Sequence, residues 1–520
     1  GRPRPLRFGW RLFLTVLVLL MSAPFTRHTV HARNAQSEPA QEEDRLPPPE
    51  NSDTERLQIS DTGNMVLDLN NAYELTLRAS ENDLIRAEDI RILEAQYRQT
   101  VSGFLPTIGI FGEQNWQDRS DPGKAAERER YVLEQVNPTL ARILPDPGRE
   151  TQSLNPFVGG VSLSWPIFSG FRSYKESDAL EFDRRSARLA RSRFRELLYQ
   201  DVAEVFYQVQ LYDRTLKILG DQEQALRQRI AELAARVRIG RSRQGELLAA
   251  RSDLQNNLVE AERIRGLRGT SLELLAFLVK QPADRLELRA SDTLPPSRDL
   301  EAYLNATEER KDILAAISDL RAARERIAVE EGRHYPEVSL EGEAYFYKRP
   351  DDGRDWRVTL RIELPIFEGG ESSAYVREAR AERRQSELTL DRLRRSADYE
   401  VRNAYREFVS AAAQVLLLEE SVRLARANYA VQVRDYRLGI VTNLEVLTAL
   451  AGIQTAERSL LNARIQTLLA DIRLHIAAGK MPGPETQTDA SNRPTIVSLR
   501  PIQSDRLPAR SHLSGRPYES

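Results

Sequence analysis

The chain carries one run of motifs twice, and this duplication limits its architecture more than any other property of the sequence. Leu163-Ser-Trp-Pro-Ile-Phe-Ser-Gly170 is answered by Ile362-Glu-Leu-Pro-Ile-Phe-Glu-Gly369. Arg238-Ile-Gly240 is answered by Arg437-Leu-Gly439, and both correspondences need the same displacement of 199 positions. The segments between the paired motifs are therefore equal in length, so any account of one half must serve for the other.

Those segments are helical in pattern. Val401, Tyr405, Phe408, Ala411, Val415, Leu418, Val422, Ala425, Tyr429, Val433 and Tyr436 make ten steps over 35 residues, a mean of 3.5, which is the seam of a left-handed coiled coil. The matching positions in the first half, Val202, Phe206, Val209, Tyr212, Leu216, Leu219, Glu223, Leu226, Ile230, Ala234 and Val237, are apolar except for Glu223. Nearly 70 residues separate each Pro-Ile-Phe-x-Gly element from its far glycine, on the order of 100 Å of helix. Helical patterning resumes beyond Gly240 and Gly439 to about Val279 and Ala478. Each half thus predicts an antiparallel helical hairpin whose tip is a glycine able to take the left-handed conformation.

Four short segments alternate instead with period two. Trp356, Val358, Leu360, Ile362 and Leu364 interleave with Arg357, Thr359, Arg361 and Glu363; Val338, Leu340, Gly342, Ala344 and Phe346 interleave with Ser339, Glu341, Glu343, Tyr345 and Tyr347. The first half supplies the pair at residues 104–116 and 157–168, with residues 117–155 as a long outer loop; the second pair is joined by a short turn at 348–355. Each strand offers one oily and one wet face and is near the roughly 9–11 residues that a tilted strand needs to cross a bilayer. The helices spend their seams on one another, so the oily strand faces require lipid; the plainer reading is a soluble sheet packed on a core. Four strands cannot close a barrel, whose smallest members have about eight. Three chains would supply twelve.

Composition narrows the setting. Mean hydropathy is -0.51 and 29% of residues are charged, which fits no bundle of membrane-spanning helices. Arg2, Arg4, Arg7 and Arg11 precede the apolar run from Leu12 to Met21, and Val30-His31-Ala32 offers a small-residue cleavage site, so residues 1–32 read as a signal peptide. Residues 33–64 and 481–520 read as disordered segments. The domain plan is a first repeat at 65–282, a linker at 283–298 and a second repeat at 299–480, each repeat being a helix, a strand pair and a long hairpin. Net charge is -2, from 75 basic and 77 acidic residues, which offers no electrostatic footprint for nucleic acid. There is no cysteine, and the five histidines are scattered: His28, His31 and His512 at the ends, His334 and His475 far apart. No metal cluster, cofactor motif or nucleophile motif can be assembled, so an enzyme is not expected.

With these features in order, the sequence resembles the TolC-type outer-membrane efflux family over residues 67–479. The resemblance rests on Phe104-Leu-Pro106 and Tyr335-Pro336 at the strand entries, the two Pro-Ile-Phe-x-Gly exits and the two glycine tips. It implies a mainly α fold with a small antiparallel β part: a homotrimer whose twelve-stranded barrel in the outer membrane continues into a periplasmic α-helical coiled-coil barrel. It further implies a channel of tripartite efflux or type I secretion, closed at its tip until a periplasmic adaptor protein and an inner-membrane pump dock. The alternative is a periplasmic coiled coil that conducts nothing.

A duct shut at rest needs a ring of like side chains at its narrow end. Glu246 and Glu445, again 199 apart, would give six carboxylates around a trimer tip, or would serve only the N-terminal turn of each returning helix. In the resembled family the second tip carries an acidic gate and a latching tyrosine, which fall on Glu445 and Tyr436; the best-known pattern has an arginine at this chain's Val441 and an aspartate at its Thr448. Arg238, Gly240, Arg437 and Gly439 mark the tips and the implied adaptor contact. Pro166, Gly170, Pro365 and Gly369 mark the strand-to-helix junctions.

Overall fold

The computed structural model describes residues 65–114, 116, 121–139, 157–289, 293–296, 299–349 and 355–482. The expected signal peptide, the segment at 33–64, residues 350–354 of the short turn and nearly all of the C-terminal tail lie outside the described residues. In chain order the elements are β1 (Met65–Leu67), α1 (Leu69–Ala79), α2 (Glu81–Ser102), β2 (Thr107–Gln114), α3 (Asp121–Val136), β3 (Phe157–Ser169), α4 (Arg172–Arg238), α5 (Gln244–Val279), β4 (Leu286–Leu288), α6 (Leu300–Leu304), α7 (Lys311–Glu331), β5 (Glu337–Arg349), β6 (Trp356–Glu363), α8 (Glu371–Arg437) and α9 (Asn443–Ala477).

The two long helices, α4 and α8, each have 67 residues, about 100 Å at 1.5 Å per residue. Their burial follows the predicted seam: Val401, Phe408, Ala411, Val415, Val422 and Tyr436 are buried in α8, and Val202, Phe206, Val209, Leu219 and Leu226 in α4. Both stop at a glycine with positive φ, 72° at Gly240 and 78° at Gly439. The turns are made alike. The amide of Arg241 donates to the Arg236 carbonyl (2.8 Å) and that of Ile440 to the Asp435 carbonyl (2.9 Å), satisfying helix-end oxygens.

Strand order is β2-β3-β5-β6, antiparallel throughout. Register brings Ile108 and Ile110 level with Leu163 and Val161, then Trp165, Leu340, Val338, Leu360 and Ile362 onto the same face. The opposite face pairs Glu343 with Arg357 (2.6 Å) and Glu341 with Arg361 (3.4 Å). Ile110 is 82% exposed and Ile362 66%, so a coherent apolar face lies uncovered.

Three details differ from the sequence expectation. β2 begins at Thr107, not Phe104, because Phe104 and Leu105 donate to the Val101 and Ser102 carbonyls in a turn that closes α2, and Pro106 has no amide to donate. β6 stops at Glu363, short of Leu364, because the pairing of β5 ends there, while β3 passes through Pro166 with a register shift before Phe168. The expected outer loop at 117–155 contains a helix, α3, and the expected linker at 283–298 contains β4, which pairs in parallel with β1.

Below the sheet the helices form two tiers. In the upper tier α2 packs on α4, α4 on α7, and α7 on α8; in the lower tier α5 packs on α4, α4 on α9, and α9 on α8. Where the tiers meet, α1, α4, α5 and α9 share the largest apolar cluster, with Phe206, Leu275 and Ile476 at its centre. Two buried arginines close the end of α9 there: Arg193 donates to the Ile476 carbonyl (2.7 Å) and Arg310 to the Ala477 carbonyl (3.0 Å), while Arg310 also pairs with Asp312 and Glu400.

Within the upper tier α2 is fastened to α4 by Asp83, which is 3% exposed and takes hydrogen bonds from Arg191 (3.1 and 2.7 Å) and Arg195 (2.8 and 3.0 Å). Burial alone pushes the Asp83 carboxyl up, but the hydrogen bonds from Arg195 and Arg191 outweigh it and hold the group below its ordinary value. A depressed carboxylate contributes stability above its unfolded pKa and loses it as pH falls through the folded one. Asp83→Asn is therefore expected to weaken the docking of α2 by about 2 kcal/mol near neutral pH. Amide hydrogen exchange over α2 checks this; the difference from the parent protein should shrink below about pH 4, since the ordinary aspartate value is near 3.9.

Candidate functional site

At the glycine tips the two hairpins of one chain merge into a single apolar cluster, with Leu226, Leu233, Leu247, Leu254, Tyr436, Val446 and Leu450 buried together. Polar groups are set into it. The Tyr436 hydroxyl donates to Glu246 Oε2 (3.3 Å), and Ser242 Oγ donates to the same oxygen (2.6 Å). Asn443, 1% exposed at the start of α9, accepts from Arg229 Nε (2.8 Å) and donates to the Glu246 backbone carbonyl (3.5 Å). The Arg229 guanidinium lies over the Tyr436 ring, 3.9 Å from its centroid, and that of Arg236 at 4.8 Å.

The structure thus brings Tyr436 and Glu246 together and leaves Glu445 apart from both. Glu445 sits in the first turn of α9, where its carboxylate accepts from the Thr442 amide (2.9 Å) and hydroxyl while Thr442 Oγ caps the helix, a reciprocal box. The hydrogen bond from the Thr442 hydroxyl, with help from nearby backbone amides, lowers its pKa, so it stays charged across ordinary pH. Arg238 and Arg437 are the last residues of α4 and α8, exposed beside Gly240 and Gly439.

Sequence reasoning missed Arg229, Arg236 and Asn443. Charged residues one position off the seam read as solvated, and an asparagine after a tip glycine reads as a turn residue. Only the packing of α4 against the second hairpin, far away in sequence, buries Arg229 and Asn443 and lays Arg236 over the Tyr436 ring.

The strand-to-helix junctions are unequal. Gly170 has φ 65°, and a Cβ there would collide with the Gly332 carbonyl, which seals this junction against the start of β5. Phe168, Phe171 and Tyr335 stack edge-on around it. Gly369 has the same φ of 65°, yet a Cβ on it would meet nothing; beside it Ile366 is 93% exposed. Pro365 lies just beyond the end of β6.

A four-stranded sheet carrying two paired 67-residue helices is the fold found in solved outer-membrane channel proteins. The crystal structure of VceC, an outer membrane protein of Vibrio cholerae, superposes with TM-score 0.67 over 79% of this chain and 96% of its own at 18% identity. That of CusC gives 0.66 over 79% and 92% at 19% identity. The family model described as outer membrane efflux protein matches residues 77–279 and 302–480, and the chain belongs to that family. Among curated relatives, the outer membrane protein TolC of Vibrio cholerae is 20% identical over 364 residues, 67% of this chain and 83% of its own length. The alkaline protease secretion protein AprF of Pseudomonas aeruginosa is 24% identical over 363 residues, 66% and 74% respectively.

Removing the Thr442 side chain tests the local account of this tip. Thr442→Ala deletes the helix cap and one of the groups that fix Glu445, and should loosen the first turn of α9 by about 1 kcal/mol. Faster hydrogen exchange at residues 444–446, with α5 unaffected, is the expected result.

Proposed function

We propose that this chain is one protomer of a homotrimeric outer-membrane duct that conducts molecules outward, with its sheet in the membrane and its helices in the periplasm. The observation that carries this reading is that the same junction is left open in every tier. Inside the chain the first half meets the second through β3 on β5, α4 on α7 and α4 on α9. The repeat makes the counterparts of these contacts β6 on β2, α8 on α2 and α8 on α5, and a single chain cannot form them because those elements lie at its opposite edges. A second copy can. Such head-to-tail contacts close into a ring when the rotation allows, and three copies give twelve strands.

The outer edge supports this. Leu417, Leu424 and Val431 are exposed at every seventh residue of α8, and Leu248, Val259 and Leu274 are exposed on α5. Among the described residues no helix is long and apolar enough to cross a membrane, and the apolar sheet face is the surface suited to lipid. The wet face, with its glutamate–arginine pairs, would line the lumen. The tip then becomes the resting constriction: Tyr436 and Glu246 latch the hairpins, Glu445 contributes a ring of three charges, and Arg238, Gly240, Arg437 and Gly439 lie on the surface offered to a periplasmic adaptor bound to an inner-membrane pump. A catalytic role is not part of this reading.

Two measurements test it. Purified protein in detergent should run as a heat-sensitive trimer and form cation-preferring channels in planar bilayers, with Glu445→Ala altering selectivity; a monomer soluble without detergent would sink the proposal. On the sheet, Leu360→Arg should cost about 2–4 kcal/mol of membrane insertion, while Thr359→Arg on the opposite face should leave assembly intact. Equal tolerance at both positions would contradict the lipid assignment, and outer-membrane yield of folded trimer is the measure.

A further inference from the structure

The duct reading above, on which this inference rests, leaves open what holds the tip shut. Arg229 stands out among the groups there. It is 4% exposed, an arginine almost wholly withdrawn from water among Leu226, Leu233, Tyr429 and Val446. Its contacts are unusual for a buried charge: Nε donates to the neutral Asn443, Nη1 reaches Glu232 at 3.1 Å on its own helix, and the plane stacks on Tyr436 at 3.9 Å. Its Nη2 is buried without a hydrogen-bond partner among the described residues.

Each contact outside α4 falls on the second hairpin, one at the end of α8 and one at the start of α9. Arg229 is thus the polar group through which α4 holds both arms of that hairpin beside their turn. The ring it grips is the one whose hydroxyl reaches Glu246 on α5, so all four helices converge on a single stack. The repeat does not reproduce it. Asn428 stands 199 positions after Arg229, Asp435 answers Arg236, and Val237 stands where Tyr436 would be. The stack occurs within chains and has no counterpart at the junction between copies.

We propose that Arg229 is the positioning residue of the resting tip: its guanidinium, packed on Tyr436 and bonded to Asn443, keeps the two hairpins of each protomer together and so keeps the duct closed. A buried cation with one donor unmatched and a second arginine over the same ring is held at a cost. The closed tip is therefore poised to part when something outside it favours separation. A planar guanidinium is required, because stacking and the Nε hydrogen bond are both lost to an ammonium.

Single-channel recording of the full-length trimer in planar bilayers tests this. Arg229→Ala should raise the resting open fraction about tenfold or more, the scale of a lost buried cation–π contact. Arg229→Lys should come close to Ala despite keeping the charge. Tyr436→Leu should also raise the open fraction, and the double variant should fall clearly short of the product of the two single effects, because the stacking contact is lost in both. Tyr436→Phe, which keeps the ring, should open the channel less. A heat-sensitive trimer on gels, unchanged in all variants, separates this from misfolding. Parental closure in Arg229→Ala, or full rescue by lysine, would overturn the proposal. Failure of the parent protein to form any channel would overturn the duct reading and this inference with it.

Discussion

Among the described residues β2 and β6 are the two edge strands of the sheet, and one face of that same sheet is oily and uncovered. In water an open edge invites uncontrolled pairing; in lipid it is far costlier, because no solvent remains to take the amides and carbonyls. In the proposed ring the two demands are met together, because another copy would bring its β2 to this β6. The helices below inherit the same arrangement. Each tier places a first-half element at one edge and α8 at the other, so a ring that closed the sheet would also bring α8 against α2 and α5 of a neighbour. The exposed glycine at 369 beside the bare Ile366 is the same incompleteness seen at the strand-to-helix junction, where Gly170 is sealed by Gly332.

The tip shows how a repeat can be symmetric in backbone and asymmetric in chemistry. Gly240 and Gly439 make near-identical turns, yet the first hairpin offers arginines at 229 and 236 and the second offers a tyrosine and an asparagine to receive them. Both sides are needed. Glu246 and Glu445 occupy equivalent first turns, but Glu246 is drawn to Tyr436 while Glu445 remains in the box with Thr442. The reason is position: α5 starts beside the end of α8, and α9 starts beside α4. Equivalent residues therefore meet different neighbours.

Much of this was legible in the chain. The 199-residue displacement gave equal rods, the step of 3.5 gave their buried faces, and the glycines gave the reversals, because these are local properties of backbone and side-chain pattern. The alternating faces of β5 and β6 emerged nearly residue for residue. Errors arose where neighbours decide: the first strand was expected from Phe104, yet a turn closing α2 holds Phe104 and Leu105 and β2 begins at Thr107, and the loop after β2 was read without its helix.

Sequence alone determined that there would be two long hairpins and four short amphipathic strands, since periodicity needs no partner to be read. Tertiary structure decided which residues form the tip. Arg229, Asn443, Tyr436 and Glu246 come from four helices spread over more than 200 positions, and only the packing of the two hairpins buries the first three and brings Glu246 against the Tyr436 hydroxyl. Burial is a property of the assembled surface, which is why a pattern along one strand of sequence could not reveal it.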